Sequence, residues 1–122
     1  MKLGETLVKI RIQGPKGNID VEALVDTGAT LTKIPESAAA RAGLVVKRAV
    51  RVELADRSLK ERGLTHAEIE LAGQRMTMPI LVGPDSEQAL LGLTTLELFK
   101  LKVNPNAQRL EPSKWIEYAI SS

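Results

Sequence analysis

Apolar and polar residues alternate along most of this chain. In Thr6 to Gln13, Thr6, Val8, Ile10 and Ile12 fall on one face, and Leu7, Lys9, Arg11 and Gln13 on the other. That period of two is the mark of a half-buried strand. Gly14-Pro15-Lys16-Gly17-Asn18 reads as a turn, and Ile19, Val21, Ala23 and Val25 resume the alternation, so the first two strands form a hairpin with a loop near five residues. Thr27 to Thr30 interrupts the second strand, and Leu31 to Ile34 is a short apolar segment after it. Pro35 can open a helix because its missing N–H is not needed in the first turn. The alanine-rich run Glu36 to Ala42 continues that helix, and Gly43 suits a left-handed cap.

Beyond it, Val50, Val52 and Leu54 alternate with Arg51, Glu53 and Ala55, and Asp56-Arg57-Ser58 forms a hairpin tip. The chain returns through Leu59 to Leu71, turns at Ala72 to Arg75, and continues with Met76, Met78, Ile80 and Val82 on one face until Gly83-Pro84-Asp85. Ala89-Leu90-Leu91 is a short buried strand ending at Gly92. Thr94 or Thr95 can cap a short helix through Phe99, and Leu101 and Val103 lead to a turn at Asn104-Pro105-Asn106. The pattern predicts an all-β, small closed barrel with one or two short helices. No repeat or linker divides it, so residues 1–122 are expected to form one domain.

Composition narrows the function classes. At 122 residues and 43% hydrophobic content, the chain has a modest core. It has no cysteine, which excludes disulfides and thiolate metal sites and is compatible with the cytoplasm, the expected location. Met1 to Glu5 lacks the apolar core of a secretory signal, and no apolar run approaches the ~20 residues that span a bilayer, so no membrane partner is expected. The net charge is +2, with basic residues scattered among acids; one Trp, one Tyr and one Phe are too few for a base-stacking platform, which argues against nucleic acid. His66 is the single histidine and has no companion ligand cluster, so neither metal nor cofactor is called for. No Ser-His-Asp or Cys-His arrangement can be built, and the dispersed glycines form no phosphate loop.

One segment carries chemistry. In Leu24-Val25-Asp26-Thr27-Gly28-Ala29-Thr30 an acid ends an apolar strand and is followed closely by glycine. Burial raises the cost of charging Asp26, so a carboxylate there needs donors or a function. Gly28 lets another backbone or a substrate approach, and Thr27 offers a hydroxyl. Taken alone, the triplet also fits a strand-ending turn, where Asp and Gly are common.

Leu90-Leu91-Gly92, about sixty residues downstream, shifts that balance. With Ile34-Pro35, Leu93, Leu96-Glu97 and Val103-Asn104-Pro105, these segments resemble the retropepsin-like aspartic proteases, and most nearly their cellular bacterial and archaeal members. The resemblance runs from about residue 5 to residue 112. It implies an acid-protease barrel with Asp26 as the catalytic carboxylate, supported in its loop by Thr27, Gly28 and Ala29. Leu90, Leu91 and Gly92 would pack beneath that loop. A flap would span Val52 to Leu64, with Ala55, Asp56, Arg57 and Ser58 as substrate-binding candidates at its tip. Three features depart from the retroviral pattern. Thr30 stands where many members have an acid, Leu93 stands where they have an arginine paired with it, and the flap tip has no glycine, the nearest being Gly63.

The chemistry of this family needs two carboxylates on one water, one accepting its proton and the other donating to the scissile carbonyl. The chain has one Asp-Thr-Gly, and Asp56 and Asp85 lie in turn contexts. The expectation is therefore a C2 homodimer acting on a polypeptide substrate. Two unit charges about 3 Å apart repel by about 5–6 kcal/mol at an effective dielectric near 20, so the pair would share one proton. The rival reading is a non-catalytic dimerisation or protein-binding module on the same fold. Leu24, Ile34, Val52, Leu54 and Ile80 are candidates for either cleft or core. Met76 and Met78 read as core or cleft lining, and Trp115 and Ile116 as core or dimer contact.

Overall fold

The computed structural model describes residues 5–113; Trp115 and Ile116 lie outside them. Nine strands and two helices follow in the order β1 (Leu7–Gly14), β2 (Gly17–Asp26), β3 (Lys33–Pro35), α1 (Glu36–Ala42), β4 (Arg48–Glu53), β5 (Leu59–Leu71), β6 (Gln74–Gly83), β7 (Leu90–Gly92), α2 (Leu93–Leu98), β8 (Leu101–Asn104) and β9 (Arg109–Pro112). Six strands pair in the order β1-β2-β7-β3-β6-β5. β5 pairs back to β1 through Glu68 to Glu70, which closes a barrel, and β4 extends from it as the outer strand of the β4–β5 hairpin. The small closed β-barrel expected from the alternation is what forms.

The period of two sorts side chains into an inner and an outer set. Ile10, Ile12, Ala23, Ile34, Ile69, Ile80 and Leu91 are fully buried inside, and Phe99 plugs the barrel from the end of α2. Ile34 and Ile80 are therefore core, whereas Leu24, Val52 and Leu54 remain half-buried on the outside. Met78 is core and Met76 packs against it.

Local chemistry accounts for the differences from the sequence reading. The β1–β2 loop is two residues, Pro15 and Lys16, because Gly14 pairs directly with Gly17. Gly14 also lies hard against α1: a Cβ there would sit 2.2 Å from the Ala42 carbonyl oxygen, which accepts from Lys16 N–H at 3.0 Å. Pro35 is the residue before the first turn of α1, and Gly43 closes that helix at φ 78° as expected. Neither Thr94 nor Thr95 caps α2; Gly92 precedes it without a side-chain cap, and Thr95 points into the core. β9, not anticipated, pairs with β8 across the Asn104 turn.

Candidate functional site

Asp26 is the last residue of β2 and is half-buried on the outer face of the barrel. The chain turns at once: Ala29 N–H donates to the Asp26 carbonyl at 3.1 Å, and Gly28 N–H donates to Asp26 Oδ1 at 2.9 Å. One carboxylate oxygen is thus held by backbone, and the glycine leaves its surroundings open. Thr27 and Gly28 are exposed in the single chain.

β7 is the support beneath this loop. It runs parallel to β2, with Leu24, Val25 and Asp26 in register with Leu90, Leu91 and Gly92. Leu91 is buried inside, and Gly92 is pressed against the segment that follows the loop. A Cβ at Gly92 would fall 2.5 Å from the Leu31 carbonyl carbon, a distance no side chain tolerates. Two further backbone bonds complete the seat: Leu93 N–H to the Ala29 carbonyl at 2.8 Å and Thr94 N–H to the Thr30 carbonyl at 3.0 Å. Where the retroviral pattern has an acid and an arginine, these main-chain bonds tie Thr30 and Leu93 into the loop.

A buried hydroxyl chain underlies the seat and was not read from sequence. Gly92 N–H donates to Thr32 Oγ1 at 3.0 Å, Thr32 and Thr95 hydroxyls meet at 2.7 Å, and Thr95 donates to Met78 Sδ at 3.1 Å. Since Thr95 has one hydroxyl hydrogen and gives it to sulfur, Thr32 donates to Thr95. Thr32 and Thr95 are 63 residues apart, and only the fold brings them together.

The β4–β5 hairpin matches the expected flap. Its tip is a tight turn, with Arg57 N–H donating to the Leu54 carbonyl and Leu54 N–H to the Ser58 carbonyl, both at 2.9 Å. Arg57 takes φ 71°, the left-handed position that glycine usually fills. Asp56 braces the turn by accepting from Ser58 N–H at 2.9 Å and Ser58 Oγ at 2.5 Å, and these bonds hold its carboxyl below the usual range. Ala55, Asp56 and Arg57 are exposed, Ser58 less so. Val50, Val52 and Leu54 share the face of the hairpin that carries Lys60, Arg62 and Leu64.

At the base of that hairpin lies a second cluster that the sequence reading missed. Glu87 Oε1 accepts from Lys33 Nζ at 2.9 Å and from Arg62 Nε at 3.0 Å, while Arg62 also pairs closely with Oε2. The side chains of Lys33, Arg62 and Glu87 are 12%, 9% and 24% exposed. Burial alone would push the Glu87 carboxyl up, but the hydrogen bonds and charges of Arg62 and Lys33 outweigh it and hold it below the usual carboxylate range.

A groove of about 520 Å³ lies elsewhere, between Asp20–Glu22, the start of α1 and Asp85–Ala89, and none of the Asp26 loop lines it. Among the described residues no cluster of His, Cys, Asp and Glu could hold a metal, and no helix is long and apolar enough to cross a membrane. His66 is exposed on β5.

Residues 8–95 match the sequence model of a family described as aspartyl protease. The chain belongs to this family, on its retropepsin-like branch. Solved structures agree on the fold. The EIAV protease complexed with the inhibitor HBY-793 superposes with a TM-score of 0.62 at 17% identity, covering 82% of this chain and 92% of that one. The retroviral protease-like domain of Ddi1 from Leishmania major gives 0.59 at 20%, covering 88% of each chain. A retropepsin-like aspartic protease from Rickettsia conorii gives 0.53 at 18%, covering 85% and 90%. A search of curated proteins returns no match. Asp26-Thr27-Gly28 and Leu90-Leu91-Gly92 both lie within the matched residues.

Two outcomes follow from this geometry. Thr32→Val keeps the shape but leaves Gly92 N–H without its acceptor and Thr95 without its donor, and should lower stability by about 1–3 kcal/mol in urea unfolding. Glu87→Gln should destabilise at neutral pH, and its difference from wild type should shrink in acid. The folded carboxyl lies below its unfolded value near ~4.3, so its contribution is complete above that value and is lost as pH falls through the folded one. Urea midpoints of both proteins from about pH 7 to about pH 3 would check the sign.

Proposed function

We propose that the chain is an aspartic endopeptidase that works as a C2 homodimer, with one Asp26 from each subunit acting on a shared water. The observation that carries this reading is the half-site. One carboxylate is held open by Gly28 N–H on the outer barrel face, its loop exposes Thr27 and Gly28, and no second acid of the described chain stands in a comparable setting. A second copy related by a two-fold axis supplies the missing carboxylate and covers those exposed residues. In the dimer, the two Asp26 groups share one proton. The ionised member takes a proton from water, and the protonated member donates to the scissile carbonyl oxygen. Thr27 then holds the two loops to each other, and the β4–β5 hairpin closes over the substrate, with Ala55 to Ser58 at its tip. Leu93, 38% exposed, lies beside the same loop and would be covered by the partner.

The test is cleavage of an unstructured polypeptide between about pH 4 and about pH 7. Asp26→Asn should abolish turnover while leaving the fold and self-association intact; equal cleavage by both proteins would overturn the catalytic assignment. Association without any Asp26-dependent cleavage would favour the binding-module reading instead. The rate should follow a bell on the acidic side of neutral, because one proton is required and two are inhibitory. Specific activity should rise with protein concentration in step with dimer mass from sedimentation. Full activity in a strictly monomeric sample would contradict the shared site.

A further inference from the structure

The register places a charged cluster on the same barrel face as Asp26. Leu7, Leu24, Leu90, Lys33, Leu81 and Leu64 lie side by side across successive strands, and all are partly exposed on the outside. Asp26 follows Leu24 by two residues, so it projects from that same face. Lys33 is the one charged member of an otherwise leucine row. It stands two strands from Leu24, about 10 Å across at the usual strand spacing, and Asp26 is about 7 Å further along.

Charge within the cluster does not balance. Lys33 and Arg62 share the single carboxylate of Glu87, which leaves one positive charge in excess at side chains about nine-tenths buried. Burying an uncompensated charge is costly, and a further carboxylate would offset it. The hydrogen bonds agree. Both Glu87 oxygens are occupied, whereas Lys33 Nζ makes one bond to Glu87 and has two further N–H donors. Gly83 makes room for the group: a Cβ there would meet Glu87 Oε1 and Lys33 Cδ, each at 3.1 Å. Lys60, exposed and two residues from Arg62 on the same hairpin face, adds to the positive field at the entrance.

We propose that the cleft selects polypeptides carrying an acidic side chain two or three residues from the scissile bond, received by Lys33 with Arg62 behind it, and that Glu87 is a positioning residue that holds the two cations. This rests on the protease reading above. An extended substrate advances about 3.3 Å per residue. By these spacings Lys33 stands about 12 Å from Asp26, which two or three residues of extended chain and the length of a substrate glutamate side chain span together. In a two-fold dimer the cluster occurs twice, so acidic residues on either side of the bond are accepted at equivalent positions.

The experiment uses the 122-residue chain as its dimer and matched fluorogenic peptides bearing Glu, Gln or Lys two or three residues from the cleaved bond, at about pH 5.5, where the peptide Glu is mostly ionised. The expected result is kcat/KM about tenfold higher for Glu than Gln, carried mainly by KM, with Lys below both. Lys33→Gln should bring the Glu/Gln ratio towards one, and Lys33→Arg should restore much of it. Glu87→Gln, which weakens the hold on both cations, should lower the ratio through KM. Equal turnover of Glu and Gln peptides by the wild type, or an unchanged ratio in Lys33→Gln, would overturn the proposal. If no peptide is cleaved, the protease reading fails, and the same peptides are titrated by fluorescence polarisation. Tighter binding of the Glu peptide that depends on Lys33 then upholds acidic selection, and equal binding overturns it.

Discussion

Gly92 stands where two segments cross with no space for a side chain. Its backbone lies against Leu31 and Thr32, a Cβ there would be 2.5 Å from a main-chain carbon, and its N–H reaches Thr32 Oγ1. The segment that follows the Asp26 loop is seated on β7 through this contact. β7 reaches Gly92 only by lying parallel to β2, with Asp26 opposite Gly92. The residues just beyond, Leu93 and Thr94, then donate to the Ala29 and Thr30 carbonyls. The close approach thus seats the loop on β7, and Gly28 N–H then holds the Asp26 carboxylate. A larger residue at 92 would separate β7 from the loop and loosen both.

The barrel supplies that contact with rigid walls. Closure of β5 on β1 removes a free edge at that seam, and the alternating inner residues fill the interior. Four buried threonines, Thr6, Thr32, Thr65 and Thr95, are the polar exceptions among the described residues, and Thr32 and Thr95 serve the crossing. Their hydroxyls form a short chain from Gly92 N–H to Met78 Sδ, so the polar group introduced by the crossing is satisfied without water. The same crossing that positions the loop therefore places a demand on the core, and the core meets it with two threonines.

Much of this was legible along the sequence because it is local. The period of two gave the strands, Gly43 gave the end of α1, and Asp26-Thr27-Gly28 announced a turn with an acid at its head. The Leu90-Leu91-Gly92 segment was legible only by its distance from that turn. What escaped were groups assembled from remote strands. Thr32 and Thr95 are 63 residues apart, and Thr95 looked like a helix cap because hydroxyl residues commonly are. Lys33 and Arg62 meet Glu87 across 54 and 25 residues, and each alone reads as an ordinary surface charge. Register decides which outward residues become neighbours, and alternation does not contain it. The flap tip shows the reverse case. Its missing glycine suggested a departure from the usual turn, yet Arg57 occupies the left-handed position directly and Asp56 braces it.

The Lys33–Glu87–Arg62 group also bears on the conditions under which the site can operate. In the proposed dimer two carboxylates sharing a proton would work below neutral pH, where an ordinary glutamate starts to lose its charge. A group that ties β3 to the base of the β4–β5 hairpin through one glutamate would then weaken just where it is required. Glu87 avoids this because two cations stabilise its ionised form more than burial opposes it, which holds its carboxyl below the usual range. Two cations to one acid is therefore more than a local imbalance. The second cation extends the ion cluster into acid, and it leaves positive charge on the face that Asp26 shares. Adding a second acid to balance the cluster would remove that charge and leave Glu87 with less support as pH falls, so one composition serves both the stability of the wall and its electrostatic character.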